Sequence, residues 1–311
     1  MNGKSLPLEG IIPPMVTPLA QRDVLDRAGL GRLVEHLLSG GIHGLFILGT
    51  TGEAPSLCHR VRAELVERVC DQVGDRLPVL VGITDTSFGE SVEMAEAAAD
   101  NGAVGVVAAA PYYFPAGQPE LLEYIERLAA EVPLPLYLYN MPGCTKVSFE
   151  PETVRAAAAI PGIVAIKDSS GDLDYFRRVR DAVAEFADFR LLIGPEEMLP
   201  QAMALGASGG VTGGANMFPR LYVALYDAIR SNDAERIRAL HARVLKISST
   251  IYEVGRFDSR VIKGIKTVLS CLGICDDYMA DPFQRFRSEE RCRIQEYVRE
   301  LGLLDSRAAT S

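Results

Sequence analysis

The sequence lacks three features that would point to a membrane, a nucleic acid or a metal: a run of about 18 apolar residues, a long block of like charge, and a Cys-x-x-Cys pair. Residues 1–10 also lack the apolar core of a secretory signal peptide. A formal net charge of -9 makes nucleic acids and anionic membrane surfaces poor partners. We therefore expect a soluble cytoplasmic protein.

The cysteines and histidines are few and scattered. The six cysteines and four histidines show neither a metal-ligand spacing nor a pairing typical of a catalytic nucleophile and its base. Cys271 and Cys275 would share one helix face, but two thiols alone make a poor soft-metal site. We predict reduced, packed thiols and no metal centre.

Short apolar runs rich in Val, Ile and Leu alternate with longer amphipathic stretches over most of the chain, which is typical of βα units around a parallel sheet. Eight strands are predicted, at 10–18, 44–50, 78–84, 105–113, 134–140, 163–168, 190–195 and 209–214. Eight helices follow them, at 26–40, 60–73, 87–101, 118–131, 150–159, 172–185, 196–206 and 219–231. A doubly wound open sheet has a similar rhythm, but it usually has fewer strands and a nucleotide fingerprint after the first, which is absent here.

The count of strands and helices therefore predicts the α/β class and a (β/α)8 TIM barrel, here over residues 1–232. Residues 233–311 are predicted to be a helical extension packed on the barrel, not an independent domain. Its three predicted helices lie at 233–254, 259–274 and 288–304.

Lys167 is the most informative residue at the carboxyl ends of the strands, where the βα loops of a barrel meet. It ends an apolar run and is one of only six lysines among 32 basic residues. Because side chains alternate along a strand, Lys167 and Asp168 should point to opposite sides. A buried ammonium must be paired, for example with Glu196, or deprotonated. Burial lowers a lysine pKa by up to about 3–5 units, which makes the amine a nucleophile toward a ketone.

Two other strand ends favour chemistry beside Lys167. Tyr139 ends the preceding strand, and its phenol could shuttle the protons that imine formation needs, or it could simply pack in the core with its hydroxyl satisfied. The turn GTTGE at 49–53 offers two hydroxyls and glycine-flanked amides, which suit a carboxylate but also occur in ordinary turns. Together the three strand ends favour a catalytic site in the barrel mouth.

Five short motifs stand in order along about residues 10–230: GTTGEA at 49–54, PYYFP at 111–115, YNMP at 139–142, IKDSSGD at 166–172 and GGVTGGAN at 209–216. This set resembles the dihydrodipicolinate synthase and N-acetylneuraminate lyase superfamily of pyruvate-dependent class I aldolases. The helical C-terminal segment also suits this family. The resemblance implies a lyase that acts on pyruvate through a covalent imine, without a metal or an organic cofactor.

The resemblance also implies roles for four catalytic residues. Lys167 would form the Schiff base with C2 of pyruvate or of a 2-keto acid, and Tyr139 would be the general acid and base beside it. Thr50 would relay protons to Tyr139. Tyr113 resembles a tyrosine that completes the relay of a neighbouring subunit in many relatives, so at least a dimer, and by the family a dimer of dimers, is expected.

The substrate-binding residues follow from the same resemblance. Thr51 and the backbone amides around it, including Gly49, would hold the pyruvate carboxylate, and the main chain at Val211 would line the site opposite the lysine. A protonated imine draws electrons from C3 of pyruvate, and loss of a C3 proton gives an enamine that attacks an aldehyde or imine. Cleavage follows the same path backwards.

The second substrate is less clearly indicated. Synthases of the lysine pathway carry an arginine two residues after the proline of the tyrosine motif, whereas Cys144 stands there in this chain and cannot replace a guanidinium. Glu196 and Glu197 could accept hydrogen bonds from a polyol, although acids at a helix start are an equal explanation for Glu197. We therefore favour cleavage of a hydroxylated 2-keto acid, such as a 2-keto-3-deoxy sugar acid or a sialic acid, over a dihydrodipicolinate synthase; a dehydratase is a third possibility.

A hypothesis of another class uses the glycine-rich motif at 209–216. It could cradle the phosphate of a phosphorylated ligand, with Lys167 as a charge partner. A barrel that binds without catalysis is the other form of this hypothesis.

Overall fold

Eight parallel strands form the centre of the molecule, which a computed structural model describes over residues 8–302. Two further strands, β2 and β3, form a separate antiparallel hairpin. In chain order the ten described strands are β1 (Gly10–Ile11), β2 (Leu19–Gln21), β3 (Val24–Leu25), β4 (Leu45–Ile47), β5 (Val79–Gly82), β6 (Gly105–Ala109), β7 (Leu136–Asn140), β8 (Ile163–Asp168), β9 (Arg190–Ile193) and β10 (Gly209–Gly210). The main sheet has the order β1-β10-β9-β8-β7-β6-β5-β4, with every pair parallel. A parallel bridge between Pro14 and Phe46 joins its two edges, so the sheet closes into a barrel.

Helices follow the barrel strands, and the predicted (β/α)8 barrel is confirmed. The α-helices are α1 (Arg27–Ser39), α2 (His59–Val73), α3 (Phe88–Asp100), α4 (Gln118–Glu131), α5 (Pro142–Thr145), α6 (Pro151–Ala158), α7 (Leu173–Ala182), α8 (Leu199–Ala204), α9 (Pro219–Arg230), α10 (Ala234–Ser248), α11 (Arg260–Cys271) and α12 (Ser288–Glu300). The helix expected at 196–206 begins as a 3-10 turn over Glu196–Met198 and continues as α8. The β2–β3 hairpin and the one-turn helix α5 were not expected from the sequence.

Two strands are much shorter than their apolar runs predict. The run 10–18 contains three prolines, which have no N–H to donate to a ladder, and β1 ends at Ile11. The run 209–214 pairs only over β10 and then enters a 3-10 turn at Gly213–Asn216. The apolar runs therefore located these two strands correctly but overestimated their length.

The inside of the barrel is filled by side chains from alternate strand positions. This inner cluster consists of Leu8, Ile12, Phe46, Leu80, Val107, Ala109, Tyr137, Tyr139, Ala165, Leu192 and Val211. Near the amino-terminal ends of the strands, the hydroxyl of Tyr137 accepts a hydrogen bond from the Leu8 amide at 3.0 Å. Because packed side chains fill this lower part, the space for a ligand lies toward the carboxyl ends of the strands.

The C-terminal extension packs on the barrel through buried apolar side chains of α10, α11 and α12. Val244, Ile265, Leu269 and Ile294 belong to the same apolar cluster that lies between the barrel strands and their helices. The boundary predicted at 232/233 stays a prediction, and the two ends of the predicted units, 1–7 and 303–311, lie outside the described residues. None of the helices in residues 8–302 is long and apolar enough to span a lipid bilayer.

Candidate active site

Lys167 and Tyr139 lie side by side at the carboxyl ends of β8 and β7. The two residues are direct partners in the parallel register, so their side chains leave the sheet on the same face. Both are 6 % exposed. The Lys167 Nζ lies 4.2 Å from the centre of the Tyr139 ring and 5.3 Å from the centre of the Phe46 ring. Strand alternation thus places the amine inside the barrel mouth.

The environment of Lys167 favours a neutral amine. Burial lowers the pKa of Lys167 from 10.5 to about 7. Among the described ion pairs and hydrogen bonds none involves this amine, and Glu196, the carboxylate considered as its partner, is bound elsewhere. Near neutral pH a large share of the lysine is therefore unprotonated and able to attack a carbonyl.

Asp168 points to the other side of the sheet, as alternation predicts, and holds the ends of β7 and β8 together. Its Oδ1 accepts a hydrogen bond from Asn140 Nδ2 at 2.8 Å, and the Ser170 amide and hydroxyl also donate to this carboxylate. Asn140 in turn accepts from the Phe149 amide at 3.1 Å. This network fixes the register of the two strands, and with it the distance between Lys167 and Tyr139.

The Tyr139 hydroxyl has two polar neighbours. Thr50 Oγ1 lies 3.3 Å from it, and the side chain of Ser169 also hydrogen-bonds to it. Burial raises the pKa of Tyr139, so the phenol is protonated at neutral pH and can act as a proton donor. Sequence reasoning did not single out Ser169, although it stands in the quoted motif two residues after the lysine, where a strand would place it on the lysine's side.

The turn at 49–53 follows β4 and approaches this pair through Thr50. Within the described residues, the amides of Thr50 and Thr51 donate to no protein acceptor. The turn is held by a hydrogen bond from Thr17 Oγ1 to the Gly52 carbonyl at 2.7 Å and by one from the Glu53 amide to the Thr50 carbonyl at 3.0 Å. Free amides and a hydroxyl in a fixed turn form a cradle that suits a carboxylate.

A cavity of about 320 Å3 opens between these elements. Its lining residues are Phe46, Leu48, Gly49, Thr50, Ala54, Pro55, Gly82, Thr84, Val107, Ala109, Tyr112, Tyr139, Met141, Cys144 and Thr145. Gly82 is required here, because a Cβ at this position would lie 2.1 Å from the carbonyl oxygen of Leu48. Lys167 is not among these lining residues and is connected to the cavity through Tyr139, whose ring centre lies 4.2 Å from its amine. No other lysine and no arginine lines the cavity, so its wall offers no cation to a second carboxylate.

Three residues with a predicted role in the site do not line this cavity: Thr51, Val211 and Tyr113. Thr51 belongs to the turn, and Val211 packs in the inner cluster that includes Tyr139. Tyr113 is 72 % exposed, and its ring makes an edge-on contact with Phe114, which is 79 % exposed. Within a single chain Tyr113 therefore does not reach the site, whereas its neighbour Tyr112 lines it.

The structure does not bring Glu196 and Glu197 to the cavity, which corrects their interpretation as ligands for a polyol. Glu196 is buried, and its Oε1 accepts hydrogen bonds from the hydroxyls of Tyr222 and Tyr252. Its Oε2 accepts from the Gly214 amide at 2.7 Å. Burial, and then the charge of Glu197, raises the pKa of Glu196 to about 7. Glu197 lines a groove on the C-terminal extension, and neither acid lines the cavity beside Tyr139.

The same contacts weaken the phosphate-cradle hypothesis for the motif at 209–216. The Gly214 amide already donates to Glu196, and the Val211 amide donates to the Ile193 carbonyl. A buried carboxyl group in this position would repel a phosphate. Within residues 8–302 no group of three or more His, Cys, Asp or Glu side chains is placed to hold a metal ion.

Comparison with known proteins gives the family. Residues 7–301 match the sequence model of the Dihydrodipicolinate synthetase family. A solved structure described as dihydrodipicolinate synthase from Bacteroides thetaiotaomicron is 52 % identical, with a TM-score of 0.92 over 95 % of this chain and 99 % of that chain. YagE from Escherichia coli K12, solved in complex with pyruvate, is 28 % identical, with a TM-score of 0.90 over 96 % of this chain and 100 % of that one.

A curated relative is named for a different reaction. The probable 2-dehydro-3-deoxy-D-pentonate aldolase YjhH of Escherichia coli K12 is 31 % identical over 95 % of this chain and 98 % of the relative. A synthase and a probable aldolase are thus both similar to this chain over nearly its whole length. The chain belongs to the dihydrodipicolinate synthetase family, as a lyase of the pyruvate-dependent class I aldolase type.

Proposed function

We propose that Lys167 attacks C2 of a 2-keto acid and forms a protonated imine with loss of water. The observation that carries this proposal is the buried amine, with its pKa lowered to about 7, next to the Tyr139 ring. The carbinolamine must gain a proton on oxygen before it loses water, and Tyr139, with Thr50 Oγ1 3.3 Å from its hydroxyl, would supply and recover that proton. No metal or organic cofactor takes part in this sequence of steps.

The ketone substrate in this proposal is pyruvate. Its carboxylate would accept hydrogen bonds from the amides of Thr50 and Thr51, which have no acceptor within the described part of the chain. Carboxylate and amine then hold the keto acid at two points, with C3 directed into the cavity. The related protein YagE has been solved with pyruvate bound, which supports this choice.

The imine carbon withdraws electrons from C3, so a C3 proton can leave to give an enamine, and attack of C3 on an aldehyde forms the new C–C bond. In the cleavage direction, the bond between C3 and C4 breaks, its electrons enter the enamine, and a C4 hydroxyl loses its proton to become the aldehyde. Protonation at C3 and hydrolysis of the imine then release pyruvate and restore the free amine.

We propose a hydroxylated 2-keto acid as the substrate that is cleaved. The cavity wall contains Cys144 and no basic residue, so a second carboxylate would be desolvated without a partner. Its volume of about 320 Å3 admits a short hydroxyaldehyde next to pyruvate. Because neither Glu196 nor Glu197 lines the cavity, the preference for a hydroxylated 2-keto acid rests on the residues of the cavity wall alone.

The second candidate is condensation of pyruvate with aspartate semialdehyde. The observation that favours it is the 52 % identity to the Bacteroides thetaiotaomicron structure described as a dihydrodipicolinate synthase. Elimination of water through the same imine is a third outcome that this site could support.

One panel of assays separates these candidates. Pyruvate release is measured from 2-keto-3-deoxy sugar acids, sialic acid and 4-hydroxy-2-oxoglutarate, and pyruvate consumption is measured with aspartate semialdehyde, each with a Lys167→Met control. The proposal predicts the highest kcat/KM for a neutral-tailed hydroxylated keto acid. A preference for the semialdehyde would replace this proposal with the synthase, and turnover by Lys167→Met would refute the imine.

We also propose that the enzyme works as a dimer of dimers. Tyr113 and Phe114 expose two aromatic rings beside the mouth, which is costly for a monomer and typical of an interface core. In such a dimer the Tyr113 hydroxyl of one subunit would extend the proton relay of its neighbour.

A further inference from the structure

We propose that Lys266, in the C-terminal extension, is a positioning residue that fixes the turn at 49–53 and thereby sets the affinity for the keto acid. Lys266 lies on α11 and does not line the cavity. This inference rests on the proposed function, because the turn affects affinity only if it holds the substrate carboxylate.

A buried ion pair joins Lys266 to the turn. The Lys266 amine pairs with Oε2 of Glu53, and the two side chains are 0 % and 2 % exposed. The amine also donates to the Tyr278 carbonyl at 2.7 Å, and Glu53 Oε1 accepts from the Ala280 amide at 2.9 Å. Two groups of the extension, the Lys266 amine and the Ala280 amide, thus hold the Glu53 carboxylate, and a third, the Tyr278 carbonyl, holds the amine.

The backbone conformation of Glu53 depends on stabilising contacts of this kind. Its φ of 57° lies in the left-handed region, which a residue with a long side chain rarely adopts without support. Leu48, the residue directly before the turn, has the same φ of 57°. Both ends of the turn are therefore held in a conformation that the local sequence does not favour, and the Glu53 side chain is the anchor at the second end.

A short path connects this anchor to the catalytic groups. The Glu53 amide donates to the Thr50 carbonyl at 3.0 Å, and Thr50 Oγ1 lies 3.3 Å from the Tyr139 hydroxyl. If the Glu53 carboxylate moved, the amides of Thr50 and Thr51 would change direction. Because hydrogen bonds depend steeply on angle, the carboxylate of the keto acid would lose contacts.

The competing explanation is that the pair only stabilises the fold. Removing one partner of a buried ion pair is strongly destabilising, whereas replacing both charges by neutral groups of similar shape is often close to neutral. The two explanations therefore differ for the double variant Glu53→Gln/Lys266→Met. This variant is free of the buried charges and keeps an acceptor for Ala280, but it no longer ties the turn to α11.

The test measures two quantities on the full-length protein: the Tm, and the pyruvate concentration that gives half-maximal borohydride trapping on Lys167. We expect Lys266→Met to lower Tm and to weaken pyruvate binding. In the double variant we expect most of the Tm to return, while the half-saturating pyruvate concentration stays raised by about fivefold or more, which corresponds to about 1 kcal/mol. Trapping at saturating pyruvate should stay within about twofold of the wild type, since Lys167 and Tyr139 are unchanged.

The control is Arg260→Met, on the same helix as Lys266, which removes an ion pair with Glu253 and a hydrogen bond to the Tyr252 carbonyl but touches no part of the turn. Its half-saturating concentration should equal that of the wild type. A double variant with wild-type pyruvate affinity would overturn the inference, as would failure of both variants to fold. Wild-type protein that pyruvate and borohydride leave unmodified would instead refute the proposed function itself, so the two failures are distinguishable.

Discussion

At the scale of single residues, the site depends on one lysine whose charge the barrel does not support. Lys167 lies among Phe46, Tyr139 and the inner cluster, and no described carboxylate pairs with it. Removal from water, with no compensating partner, lowers the pKa of this amine to about 7. The amine is therefore available as a neutral nucleophile near physiological pH for two reasons: it is buried among apolar side chains, and no described carboxylate is present to stabilise its charge.

This pKa predicts the pH dependence of imine formation. The amine is protonated below about pH 7 and free above it, so trapping with pyruvate and cyanoborohydride should accelerate from pH 5.5 to 7.5 and then level off. The measurement is the initial rate of adduct formation at saturating pyruvate. A rate that continues to rise up to pH 10 would mean that the lysine keeps an ordinary pKa.

The Tyr139 hydroxyl gives a second prediction at this scale. A Tyr139→Phe variant keeps the ring beside Lys167 but loses the proton donor, so kcat should fall by about 10²–10⁴-fold. Thr50→Val, which removes the hydroxyl 3.3 Å away, should cause a smaller loss. Steady-state kinetics of pyruvate release tests both variants, and a Tyr139→Phe enzyme within threefold of the wild type would exclude the tyrosine as the proton donor.

The positions of these residues could be predicted from the sequence because strand geometry is simple. A period of two places Lys167 and Asp168 on opposite faces, and consecutive parallel strands place Tyr139 next to Lys167. Ser169 lies just past the end of β8 and was missed, although extending the period of two by one step beyond Lys167 would place it on the side of the lysine.

At the scale of elements, the sequence did not predict which contacts the side chains make in the loops that follow the strands. Glu196 was expected in the mouth because it follows β9, yet a single 3-10 turn directs it toward Tyr222 on α9 and toward Tyr252. Both partners are far away in the chain, and only the folded structure brings them near. Glu53 is a similar case, because its partner Lys266 lies on α11.

The Glu196 cluster predicts a pH-dependent stability. The folded pKa of about 7 lies above the ordinary value of 4.5, so this carboxyl group stabilises the fold below about pH 4.5 and loses that contribution as pH rises through 7. Glu196→Gln should be less stable than the wild type at pH 5, since its amide opposes the Gly214 N–H. That difference should shrink by about 2–3 kcal/mol at pH 8, where the wild type carries the buried charge.

Urea unfolding of both proteins at pH 5 and pH 8 measures this change. Tyr226→Phe is a suitable control, because Tyr226 is a buried tyrosine of α9 that is not described as a partner of Glu196. A stability difference that is the same at both pH values would show that Glu196 titrates at its ordinary pKa.

At the scale of the whole molecule, the proposed dimer of dimers rests on the exposed rings of Tyr113 and Phe114 at the barrel mouth. Phe114 is the more exposed of the two, and a Phe114→Glu variant would place a charge in the proposed interface. We expect it to dissociate the assembly and to lower kcat, because the Tyr113 relay would be lost with it. Tyr113→Phe, in contrast, should lower activity and keep the assembly.

Sedimentation velocity, run beside the activity assay, tests these two variants. A wild-type protein that sediments as a monomer at micromolar concentration and is fully active would contradict the shared relay. The Phe257→Glu variant is a control, because Phe257 is equally exposed on the C-terminal extension but is not part of the proposed interface.

The central claim is that Lys167 forms an imine with pyruvate, and peptide mapping after borohydride reduction tests it most directly. The protein is incubated with pyruvate, reduced and digested, and the peptides that contain Lys167 and Lys266 are compared by mass spectrometry. We predict a reduced pyruvate adduct on Lys167 alone in the wild type, and no adduct in Lys167→Met. An unmodified Lys167, or an adduct that persists elsewhere in Lys167→Met, would contradict the mechanism.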